Sequence, residues 1–384
     1  MSSKAVFPNP VDVFVVGGGP AGLATAIAAH RHGLSVVVAD GAVPPIDKSC
    51  GEGLMPEGVD ALRQLGVPLP ASESFPFRGI RFVSGGVTAE AAFPCAPAYG
   101  IRRTHLHRLL LDRATACGVH MLWHTTVTGI LPEGPLVAST DEKETELVRA
   151  RWVVGADGAR SRVRDWAGLD RDNQKNKNPR FGFRRHYRVA PWSNFMELHW
   201  GRRCQVYVTP VSRSEVCVAL ISSDPKMRLR NDDALDEFPE LRAHLDGAKL
   251  VSTERGATTA VRKLRSVYRG HAVLVGDASG GVDAITGEGL CLAFRQALLL
   301  GDCLASADLA RYQKGHRSLL RRPTLMSHLM LFMAKHSHLR QRTMQVFRSK
   351  PRSFEEMLAL HVGEGSARHH VSNGIALGWE LLKV

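Results

Sequence analysis

The segment that most constrains this chain is Gly17-Gly18-Gly19-Pro20-Ala21-Gly22, close to the N-terminus. The apolar run before it, Asp12-Val13-Phe14-Val15-Val16, reads as a buried parallel strand, and Leu23 to His30 after it reads as a helix. Gly17, Gly19 and Gly22 therefore fill a G-x-G-x-x-G turn between strand and helix. The first glycine permits the tight turn, the second lets the backbone approach a pyrophosphate, and the third lets helix and strand pack closely. The helix N-terminus then offers unpaired N–H groups and a positive dipole end to phosphates. A second strand, Ser35-Val36-Val37-Val38-Ala39, ends in Asp40, about 20 residues past the turn, where an acid suits a ribose hydroxyl. A glycine turn alone says little. Strand, turn, helix, strand and terminal acid in that order point to dinucleotide binding on an α/β, Rossmann-type domain.

The chain has 384 residues, enough for two or three domains and a sizeable core, and its hydrophobic fraction of 44% is globular. No apolar run reaches the ~18 residues that span a bilayer. The start of the chain lacks a basic n-region and a cleavage site, so a cytoplasmic protein is expected. The seven cysteines are odd in number and form no C-x-x-C, which argues against a disulfide framework and a zinc site; no metal site is expected. Net charge is +13, and residues 311–384 hold thirteen Lys/Arg against four Asp/Glu. That excess either solvates helices or attracts an anionic surface: a membrane, an acyl-carrier partner or an acidic substrate. No nucleic-acid-binding module is visible.

Along the chain, residues 1–75, 98–175 and 265–310 read as one discontinuous nucleotide domain. Residues 76–97 and 176–264 show strand alternation and read as a substrate domain built on an antiparallel sheet. Residues 311–384 read as a basic helical C-terminal region, broken at Pro323 and Pro351. Gly53 to Leu65 reads as a helix stopped by Gly66. Leu325, Met326, Leu329, Met330 and Met333 form one helical stripe, which packs on the sheet, forms a lip over an apolar channel or lies on a membrane surface.

Two later segments follow the glycine turn in order: Gly155-Ala156-Asp157-Gly158-Ala159-Arg160-Ser161 and Gly276-Asp277-Ala278-Ser279-Gly280. Together the three resemble the flavoprotein superfamily of p-hydroxybenzoate-hydroxylase-type monooxygenases, geranylgeranyl reductases and flavin-dependent halogenases. The resemblance implies bound FAD, with Gly17, Gly19, Gly22 and Asp40 at its adenosine diphosphate end. It places Gly276 and Asp277 at the ribityl or pyrophosphate part, and the helix starting near Gly287 and Gly289 with its N–H groups toward the flavin. It makes Asp157 an element shared between FAD and the nicotinamide path. Arg103 would hold FAD by charge and hydrogen bonds, with Arg102 as the other candidate. NAD(P)H would act as a transient electron donor, since no second nucleotide fold is present. The antiparallel sheet would roof an apolar pocket facing the flavin ring.

Two segments narrow the resemblance. Lys48-Ser49-Cys50-Gly51-Glu52-Gly53-Leu54 is similar to the C-G-x-G-L loop of geranylgeranyl-reductase-like proteins, and Asp283-Ala284-Ile285-Thr286-Gly287-Glu288-Gly289 to their T-G-E-G-I segment. The halogenase lysine and W-x-W-x-I-P segment are missing. Of the reductases' Y-x-W-x-F-P segment, only Tyr207 and Pro210 match. Cys50 is either a proton donor to a carbanion formed after hydride transfer or a small apolar wall residue. Glu52 either orients water or a substrate hydroxyl, or caps the helix that follows it. His186 and Tyr187 point to opposite faces of a strand, so one can line the pocket. The expected activity is reduction or oxidation of carbon–carbon bonds in a small apolar substrate (prenyl, polyketide or aromatic) by flavin hydride transfer. The alternatives are NAD(P)H-dependent hydroxylation and a non-catalytic flavin-binding docking protein.

Overall fold

The structure, a computed structural model, describes residues 9–139, 145–170, 179–229, 234–259 and 261–364. Its first sheet runs in the order Tyr268–Arg269, Ala272–Leu274, Ala150–Gly155, Val11–Val16, Val36–Ala39, His120–Leu122. Every neighbouring pair is parallel except the first. The central strands are nearly unbroken apolar runs because both faces are covered. Val13 and Val15 pack with Leu23, Ile27, Phe294 and Leu300 on one face. Phe14, Val37 and Val153 pack with Val127 and Val137 on the other. The first cover is the helix pair Pro20–His30 and Gly289–Ala305; the second is an antiparallel meander of Thr125–Leu131, Gly134–Ser139 and Thr145–Leu147.

The second sheet runs Lys249–Leu250, Arg180–Arg188, Glu215–Ser222, Cys204–Pro210, Met196–Trp200, Gly79–Ser84, Val87–Ala92, and Arg255–Thr259 also pairs with Arg180–Arg188. It is antiparallel apart from the junction of Met196–Trp200 with Gly79–Ser84. Side chains alternate between two cores, as a period of two requires. Val206 and Val208 face Phe238 and Leu241, whereas Tyr207 joins Ile80, Phe82 and Leu198 against the C-terminal helices. Those helices are Leu309–Lys335, Ser337–Ser349 and Pro351–His361. The fold is thus a Rossmann-type α/β unit, a mainly antiparallel sheet and a helical C-terminal region. No helix among the described residues is long and apolar enough to cross a membrane.

Three expectations need correction. Pro323 does not break its helix; it lies buried inside Leu309–Lys335. A proline in a helix interior costs about 3 kcal/mol, which burial of Met326, Met330 and Met333 on the following turns outweighs. Pro351 does start a new helix, in the favoured first position. Gly53–Leu54 is a short strand pairing with Ala98–Ile101, and the helix begins only at Pro56. The C-terminal stripe splits: the methionines are buried, whereas Leu325 and Leu329 are 60% and 37% exposed. Part of the expected terminal helix, 365–384, lies outside the described residues.

The two helices over the first sheet meet at Gly301. A Cβ there would fall 2.8–3.0 Å from Ala28 Cβ, C and O. Gly301→Ala is therefore expected to push the helices apart at a cost of about 1–3 kcal/mol, measured as a lower urea midpoint with an unchanged slope.

Candidate flavin site

The glycine turn has two closed positions and one open one. Gly17 has φ +111°, and a Cβ there would meet Ala156 O at 2.5 Å. A Cβ on Gly22 would fall 1.9 Å from Gly17 O, so the helix rests directly on the strand end. Gly19 differs: the nearest atom to its Cβ position is Arg103 Nη2, at 4.0 Å. Gly19 is also the N-cap of Pro20–His30, with no side chain capping the free N–H groups. Open space, helix N-terminus and guanidinium converge there.

Several side chains fasten this turn. Asp40 Oδ2 accepts from Gly18 N and Oδ1 from Ala42 N, both at 2.8 Å. His107 is fully buried, and burial holds its pKa below the ordinary value. The neutral ring lies with Nε2 2.9 Å from Gly18 O, while Nδ1 has no partner. The Trp123 ring covers Gly18. His107 and Trp123 escaped the sequence reading. The available signal was His107 lying four residues after Arg103, on the same helix face.

Asp157 Oδ2 accepts from Arg162 N at 2.7 Å and Val163 N at 3.2 Å, which caps Arg162–Trp166; its buried Oδ1 has no partner. Gly276 has φ +61°, and a Cβ there would strike Ala21 Cβ at 2.7 Å, so this turn closes on the start of the first helix. Asp277 is exposed between buried Gly276 and Ala278. Gly287, at φ +69°, ends the short turn Ala284–Thr286, and Gly289 opens the helix Gly289–Ala305 with nothing within 4 Å of its Cβ position.

Arg102 and Arg103 part company. Arg102 Nη1 pairs with Glu215 at 2.9 Å. Arg103 lies beside Gly19, and its buried Nε has no partner.

Glu52 is 2% exposed and sits at φ +60°. Its Oε1 accepts from Arg103 N at 2.9 Å, so it caps the returning helix Arg103–Ala116 and not the helix that follows it in sequence, the one it would have capped under one of the two readings above. Oε2 lies 2.6 Å from His186 Nε2. Arg184 Nη1 approaches His186 Nδ1 at 3.1 Å. A guanidinium only donates, so Nδ1 accepts and the ring proton sits on Nε2, donated to Glu52. Ser252 Oγ reaches the same Nδ1 at 2.7 Å. Of the pair His186 and Tyr187, His186 therefore faces the Cys50–Gly53 loop. Cys50 Sγ accepts from Glu52 N at 3.3 Å; desolvation holds the thiol above its ordinary pKa, against the opposing charge of Arg103.

Glu52, His186 and Cys217 bring three metal-type donor atoms within 4.8 Å of one another. Two of them already share a short hydrogen bond, and Arg184 Nε stands 3.9 Å from Glu52 Oε1. A cation would face a buried guanidinium, so Glu52 and His186 read as a hydrogen-bonded pair, and Cys217 Sγ donates instead to Cys50 O at 3.8 Å.

A family model for the FAD binding domain matches residues 10–320. Menaquinone reductase of Mycobacterium tuberculosis (strain ATCC 25618 / H37Rv) is 30% identical over 326 residues, covering 79% of this chain and 78% of that protein. This chain belongs to the FAD-binding flavoprotein family. Digeranylgeranylglycerophospholipid reductase of Methanococcus vannielii is 24% identical over 77% of each chain. A solved flavoprotein/dehydrogenase from Cytophaga hutchinsonii has the same fold at TM-score 0.80, with 18% identity over 92% of this chain and 93% of that one. The flavoprotein is an FAD-dependent oxidoreductase.

Its residues fit the cofactor. The open Gly19 position, the uncapped helix start and the unpartnered Arg103 Nε supply what a pyrophosphate needs. A charged hydrogen bond contributes about 1.5–3 kcal/mol. Arg103→Ala should therefore weaken FAD binding about 10- to 100-fold in a fluorescence titration of the apoprotein. Arg102→Ala, which removes a partner of Glu215, should leave that titration unchanged.

Proposed function

We propose that this flavoprotein reduces a carbon–carbon double bond in an apolar, prenyl-type lipid, with NAD(P)H as electron donor. The observation that carries the reading is an apolar cavity between the second sheet and the C-terminal helices. Phe82, Met196, Met326, Met330, Phe354 and Met357 line it, and Ile285 and Thr286 bring it to the segment that leads into Gly287–Gly289. It holds about 20 Å³, room for a single water, so a substrate would enter by displacing side chains. Methionine suits that task, because its unbranched thioether repacks around irregular shapes. The two reductases named above support the same reading.

Bound FAD would supply the two-electron chemistry, taking hydride equivalents from the nicotinamide and passing them to one alkene carbon. The chain must supply one proton to the other carbon. Cys50 is the proposed donor: desolvation keeps its thiol protonated at neutral pH. Arg103 and Asp277 would hold the cofactor, while Glu52 and His186 would fix the loop that carries the thiol.

Anaerobic NADPH should bleach the flavin band of the holoenzyme. A prenyl lipid should then restore it and gain two mass units per double bond. Cys50→Ser should keep the bleaching and slow the second step by at least tenfold. A gain of sixteen mass units with oxygen uptake would instead establish hydroxylation.

The basic C-terminal region fits delivery of such a lipid. Arg321, Leu325, His328, Phe332 and Lys335 form one exposed stripe of Leu309–Lys335, interleaving apolar and basic groups. We assign this face to an anionic membrane surface, where both kinds of side chain find partners. Wild type should co-sediment with phosphatidylglycerol vesicles in low salt, and Leu325→Ser/Phe332→Ser should not.

A further inference from the structure

At one end of the apolar cavity the lining residue His361 meets Glu288, and each of these buried side chains leaves one atom without a hydrogen-bond partner. His361, the last residue of Pro351–His361, lines the cavity and is 6% exposed. Its Nδ1 has no hydrogen-bond partner. Glu288, the N-cap of Gly289–Ala305, is 4% exposed, and its Oε2 is likewise unpartnered. The two atoms stand 3.6 Å apart, too far for a hydrogen bond. Buried polar atoms are seldom left this way, and a pair of them at the head of a Met-lined cavity calls for a ligand group.

The surroundings set their charge. Glu57, on Pro56–Gln64, faces Glu288 but is itself paired with Arg295 at 2.8 Å and Arg322 at 2.7 Å. The Thr286 side chain hydrogen-bonds the Glu288 carboxyl, and Cys291 lies close by. Burial, reinforced by the Glu57 charge, raises Glu288 to about 8, so it carries its proton at neutral pH. Burial lowers His361 to about 4, so its ring is neutral, and it interacts with the Thr286 backbone. A carboxylic O–H donor thus faces an imidazole nitrogen at 3.6 Å, so that a hydroxyl lying to one side of the pair can reach both.

We propose that Glu288 and His361 form a subsite for the hydroxyl group of an apolar alcohol or phenol, whose oxygen accepts a hydrogen bond from Glu288 and whose O–H donates one to His361 Nδ1. This deepens the reading of the cavity as the substrate site and rests on it. The subsite adjoins the flavin-side turn at Gly287, so it would anchor the polar end of a substrate next to the reacting carbons. Neither residue need exchange a proton with the substrate; both are binding residues.

The test uses the oxidised holoenzyme without NAD(P)H and three probes of one shape: farnesol, its methyl ether and farnesene. Wild type should bind farnesol about tenfold more tightly than the ether, and the ether more tightly than the hydrocarbon. Glu288→Gln keeps a donor and should keep the order. Glu288→Leu should erase the ether's advantage over farnesene while farnesol, still donating to His361, keeps its lead, and His361→Phe should bring farnesol down to the ether with both above farnesene. Because each comparison is made within one variant, a general loss of stability does not mimic the result. The ether only accepts, so its advantage over farnesene should vanish above pH 8 as Glu288 loses its proton. Equal binding of the three by wild type, or an ether advantage unchanged to pH 10, overturns the subsite. Failure of wild type to bind any of the three overturns instead the assignment of the cavity.

Discussion

One buried carboxylate ties this molecule together. Glu52 has been taken out of water, which is costly for a carboxylate unless hydrogen bonds replace the solvent. Those bonds come from two distant places: the start of Arg103–Ala116 in the nucleotide unit, and His186 on the second sheet. Arg184 on the same strand stands beside it. Satisfying one side chain therefore fixes the Cys50–Gly53 loop, the returning helix and the sheet relative to one another. The same contact seats Arg103, whose guanidinium lies over the open glycine of the turn. Removing either partner would strand a buried charge, which is why such a network holds geometry so tightly.

The cofactor region and the cavity follow different physical rules. At the glycine turn, space is the commodity: Gly17, Gly22 and Gly276 are closed by backbone or packed helix, and Gly19 and Gly289 are left open. In the cavity, deformability matters more. Four methionines line it, together with residues from two C-terminal helices, Leu309–Lys335 and Pro351–His361. Polar atoms there are few, which gives the unsatisfied Glu288 and His361 pair its weight.

Much of the nucleotide unit was readable in advance. Strand periodicity and glycine spacing are local, and they placed the strand Val11–Val16 and the helix Pro20–His30 to within three residues. Errors arose where packing overrode local preference. Pro323 sits inside a helix because Met326, Met330 and Met333 on the turns that follow it are buried in the core shared with the second sheet. The C-terminal stripe divided because only one side of that helix meets a core. Glu52 capped a helix fifty-one residues away in place of its neighbour. The resemblance favoured Arg103 over Arg102, but the physical ground for that choice is tertiary, since adjacent residues at a helix start point in different directions and only one reaches the turn.

The sequence by itself determined a Rossmann-type unit that binds a dinucleotide, since a tight turn, a close phosphate approach and a helix start each demand particular residues at particular spacings; that the dinucleotide is FAD came from the resemblance to a flavoprotein superfamily. The tertiary structure alone decided which side chains share one buried space. Glu52 with His186, and Glu288 with His361, are 134 and 73 positions apart in the chain. Their juxtaposition depends on how sheets and helices pack, and no local pattern of residues encodes that.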